Sequence, residues 1–481
     1  MTQLPDVTQF IKTIRAHTGA EKFFQPGKTI YLSRAPGRLD LMGGNDDYTG
    51  GLVFETTIRE ATRVAVQLRD DDRIRLFNPQ MREQGWRELV ECSLAALATD
   101  TGLRSLEEVR AFVNADVKQQ WIAYVIGALY LLKKEFPSRV THGVSIWLES
   151  EVPLGKGVSS SAALEVAAMK ALGAAFGIRI EGVQLALWTQ WVENAIAQSA
   201  SGVMDQITVV LGDQDHFVPL ICQPCQPEPL VRLPAPLRIW GVDSGVRHSV
   251  AGIEYETARA ATFMGYAMLC DWEKLPVTYD DSGALPRYTD SRWNGYLANL
   301  DLATYRARYD QRLPEQLRGA DFLARYPSHF DPFTPVRPDV VYPVRACVRY
   351  AVEENYRVQL FVELLTNKRE PLTPRTLSLL GELMYEAHQG YTECGLGSEA
   401  TDLIVNLVRA EGRQNDLYGA KITGGGAGGT VAILGTTSTK SAEAFQRVVA
   451  RFCEEIGHPP YIFEGSSVGA DKFGILEIGS V

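Results

Sequence analysis

The chain has 481 residues, 45% of them hydrophobic and 22% charged, the composition of a folded globular protein, which excludes disorder as its dominant state. Its 48 basic and 58 acidic side chains leave a net charge of −10 with no basic block. Neither a nucleic-acid nor a membrane partner is therefore expected, and an anionic ligand must be held by a local device.

At about 150 residues per domain, the length allows two or three domains or one two-lobed unit. The stretch from Met1 to Gly19 lacks the basic start and apolar run of a signal peptide. The longest apolar run, Ile122 to Leu132, is too short to span a bilayer and predicts a buried helix. From Gly143 to Glu149 the residues alternate, with Val144, Ile146 and Leu148 on one face and Ser145, Trp147 and Glu149 on the other, which predicts a strand. A Gly/Ser loop follows, then an Ala-rich helical pattern from about Ala162 to Phe176, stopped by Gly177. Leu237 to Val242, Thr430 to Leu434 and Ile475 to Ile478 read as short strands. Between Asp271 and Arg345 prolines recur among many aromatic side chains, which need burial, so an ordered insertion with short helices is expected. The 7 cysteines are scattered. Cys222 and Cys225 form a lone CxxC around Pro224, without the second pair of a zinc site. Structural thiols and a reducing, cytoplasmic location are expected.

Three segments carry chemistry. Pro153-Leu-Gly155-Lys156-Gly157-Val158-Ser159-Ser160-Ser161 lies between a predicted strand and a predicted helix. Its glycines let the backbone approach an anion, and the helix N-terminus and three hydroxyls point to polyphosphate. It lacks the Gly-Lys-Ser/Thr of a Walker loop. The other two are Ser33-Arg34-Ala-Pro-Gly-Arg38-Leu-Asp40-Leu-Met-Gly43-Gly44-Asn45-Asp46-Asp47-Tyr48 and Lys421-Ile-Thr423-Gly424-Gly425-Gly426-Ala-Gly428-Gly429-Thr430. Each glycine run alone could be a turn; the three in this order are far more specific.

Together they resemble the motifs of the GHMP sugar and metabolite kinases, the segment around Arg38 being most similar to the galactokinase signature. Gly202-Val-Met-Asp205-Gln206, Asp243-Ser-Gly-Val-Arg247-His248, Cys394 to Asp402 and Tyr461 to Gly469 resemble the kinase region of plant L-arabinokinases, so the similarity runs from about residue 30 to 480. The resemblance implies an α+β, two-lobed fold, with an N-terminal lobe of ribosomal-protein-S5-like type over residues 1–210. A ferredoxin-like α/β lobe would follow over 211–481, interrupted by the insertion at about 271–345, with the active site in the cleft between lobes.

It also implies roles. Asp205 is the expected base that takes the proton of the anomeric hydroxyl, with Arg38 beside it stabilising charge on the transferring phosphoryl. Arg38, Gly44, Asn45, Asp47, Gly202, Asp205 and Tyr255 form the expected sugar-binding set. Gly155, Lys156, Gly157, Val158, Ser159, Ser160 and Ser161 would bind nucleotide, with Trp121 and Tyr124 near the adenine. Ser161 and Glu193 would hold Mg²⁺; Arg247 is read as structural support. The stretch from Glu193 to Gly202 departs from the family pattern, which has glycine and proline there. Galactokinases carry glutamate where this chain has Gly44, and that glutamate binds the galactose 6-hydroxyl. L-Arabinopyranose lacks that hydroxymethyl group, and a carboxylate left without it would be unpaired. The resemblance thus implies an ATP- and Mg²⁺-dependent kinase converting L-arabinose to β-L-arabinose 1-phosphate, acting as a monomer or small homo-oligomer. The alternatives are a galactokinase or galacturonokinase with altered C6 recognition and, more remotely, a non-catalytic sugar sensor.

Overall fold

The computed structural model describes residues 4–16, 23–246, 252–281, 285–366 and 372–479; Arg247 lies outside them. Among the described residues, two sheets organise the chain. The larger is built around the 17-residue strand Leu52–Leu68, which pairs along one edge with Ile30–Met42. Its other edge is shared: Leu52 to Thr56 pair with His216–Ile221, and Thr62 to Leu68 with Val144–Ser150. Arg73–Phe77 joins Val144–Ser150 in parallel, and Leu89–Ser93 continues the sheet. Leu476–Ile478 pairs back onto Ile30 to Leu32, so the end of the described chain closes the first sheet.

The strand predicted over 143–149 is found as Val144–Ser150. Ile146 and Leu148 pack under the helices Ala123–Glu135 and Ser160–Ala175, as the alternation requires. The opposite face is covered too: Trp147 is buried against Phe10, Phe23 and Phe24 from the N-terminal segment. A central strand with both faces buried accounts for a tryptophan on the side the alternation assigned to polar residues. The helix Ser160–Ala175 is buried nearly all round, which its alanines permit, and Gly177 follows in the left-handed region at φ 68.

The second sheet has the antiparallel order Leu417–Ile422, Thr430–Thr436, Leu237–Asp243, Ile462–Glu464. Trp240, Val431 and Ile433 pack on Phe445, Val448 and Phe452 of the helix Thr439–Ile456. The chain crosses between the sheets from Val231–Arg232 to Leu237–Asp243, whereas residue 210 lies inside the helix Met204–Leu211. The segment over 271–345 consists of short hairpins and helices such as Leu302–Arg308. Its Trp293, Tyr305, Tyr309, Phe322 and Tyr342 are buried against the helices Ile253–Trp272 and Val344–Thr366. Cys222 and Cys225 are buried free thiols. Among the described residues, no helix is long and apolar enough to cross a membrane.

Candidate active site

A cleft of about 390 Å³ lies where the two lobes meet. Strand Ile30–Met42 sends Arg38 to its floor, and the following turn supplies Asn45 and Asp47. The loop after Val144–Ser150 contributes Gly155 and Gly157 to Ser161, and the helices Gly182–Ala195 and Met204–Leu211 contribute Glu193 and Asp205. The second lobe closes the cleft with Tyr255 and Gly425. The sequence-predicted residues thus converge, with three exceptions.

Trp121 is one. Its indole is buried in the core of the first lobe and donates to the Arg87 carbonyl at 3.0 Å, while Tyr124, expected beside it, does line the cleft, together with Trp86. Trp86 had one sequence-level signal, a tryptophan outside any apolar periodicity. Lys156 is the second: its ammonium pairs with Asp243 across the lobes at 2.5 Å rather than turning into the cleft. The third is Gly44, where a Cβ would overlap the Tyr391 hydroxyl and the Asp40 carboxylate. The volume a side chain would take at position 44 is already filled, and it lies behind the cleft wall.

Arg38 holds the centre. Its guanidinium reaches Asp205 Oδ1 with Nε at 2.9 Å and Nη2 at 2.7 Å, and Nη1 donates to the Gly157 carbonyl at 2.6 Å. Glu55, unforeseen from the sequence, stands 3.5 Å behind Nε and accepts from Thr208 Oγ1 at 3.0 Å. Burial pulls the Arg38 pKa down, but the Asp205, Glu55 and Asp40 carboxylates outweigh it and hold the guanidinium above its ordinary value. Asp205 lies in the first turn of the helix Met204–Leu211, where the N-terminal dipole favours a carboxylate. A Cβ on Gly202 would overlap the Asp47 carboxylate, so only glycine lets that side chain lie over the loop. Burial first, and then the charge of Asp205, push Asp47 up to about 6, with Arg259 and Arg38 acting against them.

The phosphate loop ends at Ser159, which occupies the N-cap of Ser160–Ala175 without capping it. The residue lies at φ 60, ψ 47, no hydrogen bond joins its side chain to the helix, and its buried hydroxyl has no partner among the described residues. An unpaired buried hydroxyl beside free helix amides is the arrangement a bound anion completes. Glu193 is buried within reach of three donors: Gln206 Nε2 at 2.6 Å, Ser201 Oγ at 3.0 Å, and the Ser161 hydroxyl. Burial and then the Asp205 charge push it up to about 7, and none of the principal contributions to that shift comes from a cation. Hard oxygens in a negative environment suit Mg²⁺. Among the described residues, no group of three or more His, Cys, Asp or Glu side chains could hold a metal alone, so phosphate oxygens would have to complete the shell.

The GHMP kinases N terminal domain model matches residues 123–213, the galactokinase galactose-binding signature residues 20–68, and the GHMP kinases C terminal model residues 362–455. The chain is 38% identical to an L-arabinokinase of Arabidopsis thaliana over 97% of its own length and 48% of that protein's, so it spans about half of that relative. A galactokinase of Chloroflexus aggregans is 29% identical over 89% of this chain and 88% of its own. Among solved structures, Lactococcus lactis galactokinase complexed with galactose superposes with a TM-score of 0.72 at 19% identity, covering 96% of this chain and 99% of that one. Methanococcus jannaschii mevalonate kinase superposes at 0.53 with 13% identity over 91% and 98%.

Proposed function

Because the chain belongs to the GHMP kinases, carrying their N- and C-terminal domains and the galactokinase signature, we propose that it phosphorylates the anomeric hydroxyl of a galacto-configured sugar, with L-arabinose as substrate and ATP as donor. The observation that carries this reading is the Arg38–Asp205 pair on the cleft floor, between the Ser159–Ser161 loop and the Asn45, Asp47 and Tyr255 side chains. Asp205 accepts the proton of the anomeric hydroxyl as its oxygen attacks the terminal phosphorus and the bond to the ADP oxygen breaks. Arg38 orients that carboxylate and offers its positive charge to the transferring group. Asn45, Asp47 and Tyr255 offer donors and acceptors to ring hydroxyls, and Gly155 to Ser161 cradle phosphate oxygens. Ser161 and Glu193 would hold Mg²⁺, whose chemistry when bound is to offset phosphate charge and align the terminal group.

One fact favours L-arabinose over galactose: the relative at 38% identity is an L-arabinokinase, against 29% for a galactokinase. A coupled ADP-release assay with ATP and Mg²⁺, comparing L-arabinose, D-galactose, D-galacturonate and D-glucuronate, tests both levels. The highest kcat/KM is expected for L-arabinose. A preference for galactose or galacturonate would keep the kinase and overturn the choice of sugar, whereas binding without turnover would point to a sensor.

A further inference from the structure

One turn after Tyr255, the helix Ile253–Trp272 carries Arg259, a buried residue 3% exposed. Its Nε and Nη2 donate to the two oxygens of Asp331 at 2.9 and 3.0 Å, and its Nη1 donates to the Ala200 carbonyl at 3.0 Å. Its guanidinium carbon lies 4.9 Å from the ring centre of Tyr48 and 5.3 Å from that of Phe333. Asp331 belongs to the 271–345 segment, and its side chain is fully buried. It is held in turn by Thr334 Oγ1 at 2.5 Å and the Phe333 amide at 3.2 Å. The preceding Phe330 stands at φ 68. A bulky side chain rarely adopts that conformation, and it persists only where the surroundings impose it.

Arg259 therefore joins three parts: the helix that carries Tyr255, the loop that leads through Ala200 to Gly202 and Asp205, and the aromatic-rich segment. We propose that Arg259, aimed by Asp331, is a positioning residue for the sugar-facing wall, and that the 271–345 segment serves the reaction through this fork rather than by touching the ligand. The inference rests on the sugar-kinase reading above. A planar guanidinium can satisfy both carboxylate oxygens and a carbonyl in one fixed geometry, which an ammonium cannot. Ala200 is two residues from Gly202, over which Asp47 lies, so a shift of the loop moves the base and the sugar contacts together. The charge matters as well. Asp47 is faced by Asp205, Arg38, Arg259 and Tyr255, by its neighbours Asp46 and Tyr48, and by the Cys222 thiol. With its pKa already pushed up to about 6, loss of the Arg259 charge would raise it further.

Three variants separate these roles in the ADP-release assay, with folding checked by circular dichroism and thermal melts. Asp331→Asn keeps the shape and removes the partner charge, Arg259→Lys keeps the cation and loses the fork, and Arg259→Gln loses both. Asp331→Asn and Arg259→Lys are expected to raise the sugar KM on the order of tenfold, since small misplacements of a reacting group cost that or more, with the ATP KM unchanged. Only Arg259→Gln should also move the acid limb of sugar kcat/KM to higher pH. Folded Asp331→Asn with a normal sugar KM overturns the proposal. So does a loss of kcat that tracks the folded fraction while both KM values stay put, which is packing alone. If Asp331→Asn fails to fold, Arg259→Lys decides the matter on the same readouts. Wild-type protein inactive with every sugar would overturn the kinase reading and this proposal with it.

Discussion

Asp205 retains 17% side-chain exposure where Arg38 retains 3% and Glu55 none, so of these three the Asp205 carboxylate is the most open to the cleft. Asp205→Asn keeps that shape and deletes the base. It is expected to lower turnover by a factor of about 10² to 10⁴ while leaving sugar affinity, measured by calorimetry, within a few-fold. Near-normal turnover would remove Asp205 from the mechanism. Gly44 requires a change of view. Read from the sequence, glycine at that position removes a carboxylate from the sugar pocket, so restoring glutamate should shift preference toward galactose. In the structure even a Cβ overlaps Tyr391 and Asp40, so Gly44→Ala should lower stability by about 1–3 kcal/mol in a denaturant titration, as overpacking does, with no gain toward galactose. A rising galactose-to-arabinose ratio would show that the side chain reaches the cleft after all. Most motif positions, though neither Gly44 nor Lys156, lie at the cleft, and they were legible because glycine runs and charged residues at fixed offsets survive in one dimension. Glu55, Arg259 and Asp331 were not, because each acts through a partner far along the chain, and nothing local marks a carboxylate that will face an arginine 72 residues away.

At the scale of elements, alternation located Val144–Ser150 and the small-residue run located Ser160–Ala175, because both patterns follow directly from the periods of strand and helix. The pairing of Leu52–Leu68 with three partners was not legible, since a long strand in mid-sheet is set by what packs on its two faces. The start of Ser160–Ala175 yields a prediction that separates folding from function. Ser159 sits where a serine normally caps, yet it makes no cap bond and occupies the left-handed region. For a non-glycine residue that region costs roughly 1–2 kcal/mol. Ser159→Gly should therefore leave the melting temperature unchanged or raise it, whereas a lost cap would lower stability by a few tenths of a kcal/mol. If the hydroxyl serves a phosphate, the same variant should raise the ATP KM several-fold. A lowered melting temperature with normal ATP kinetics would return Ser159 to the role of a helix cap.

Across the whole molecule, the cleft exists only while the two lobes stay in register, and a buried ion pair ties them behind it. Lys421 Nζ of the second sheet donates to Asp40 Oδ2 of the first at 2.7 Å, both side chains being fully buried. Asp40 also receives the Gly424 amide at 3.2 Å, and its own amide donates to Thr423 Oγ1 at 2.7 Å. The third glycine motif is thereby pinned to the strand that carries Arg38. Such a pair adds little net stability over an apolar equivalent, but removing one partner strands a buried charge. Lys421→Met should then cost about 3–5 kcal/mol in a urea titration. Adding Asp40→Asn to Lys421→Met should recover much of that loss, because asparagine is neutral and can still accept from the Gly424 amide. If the double variant is stable but its turnover stays low, the pair fixes lobe register for catalysis as well as for folding. If the two single losses simply add, the charges do not act as a pair and the lobes are held by their other contacts.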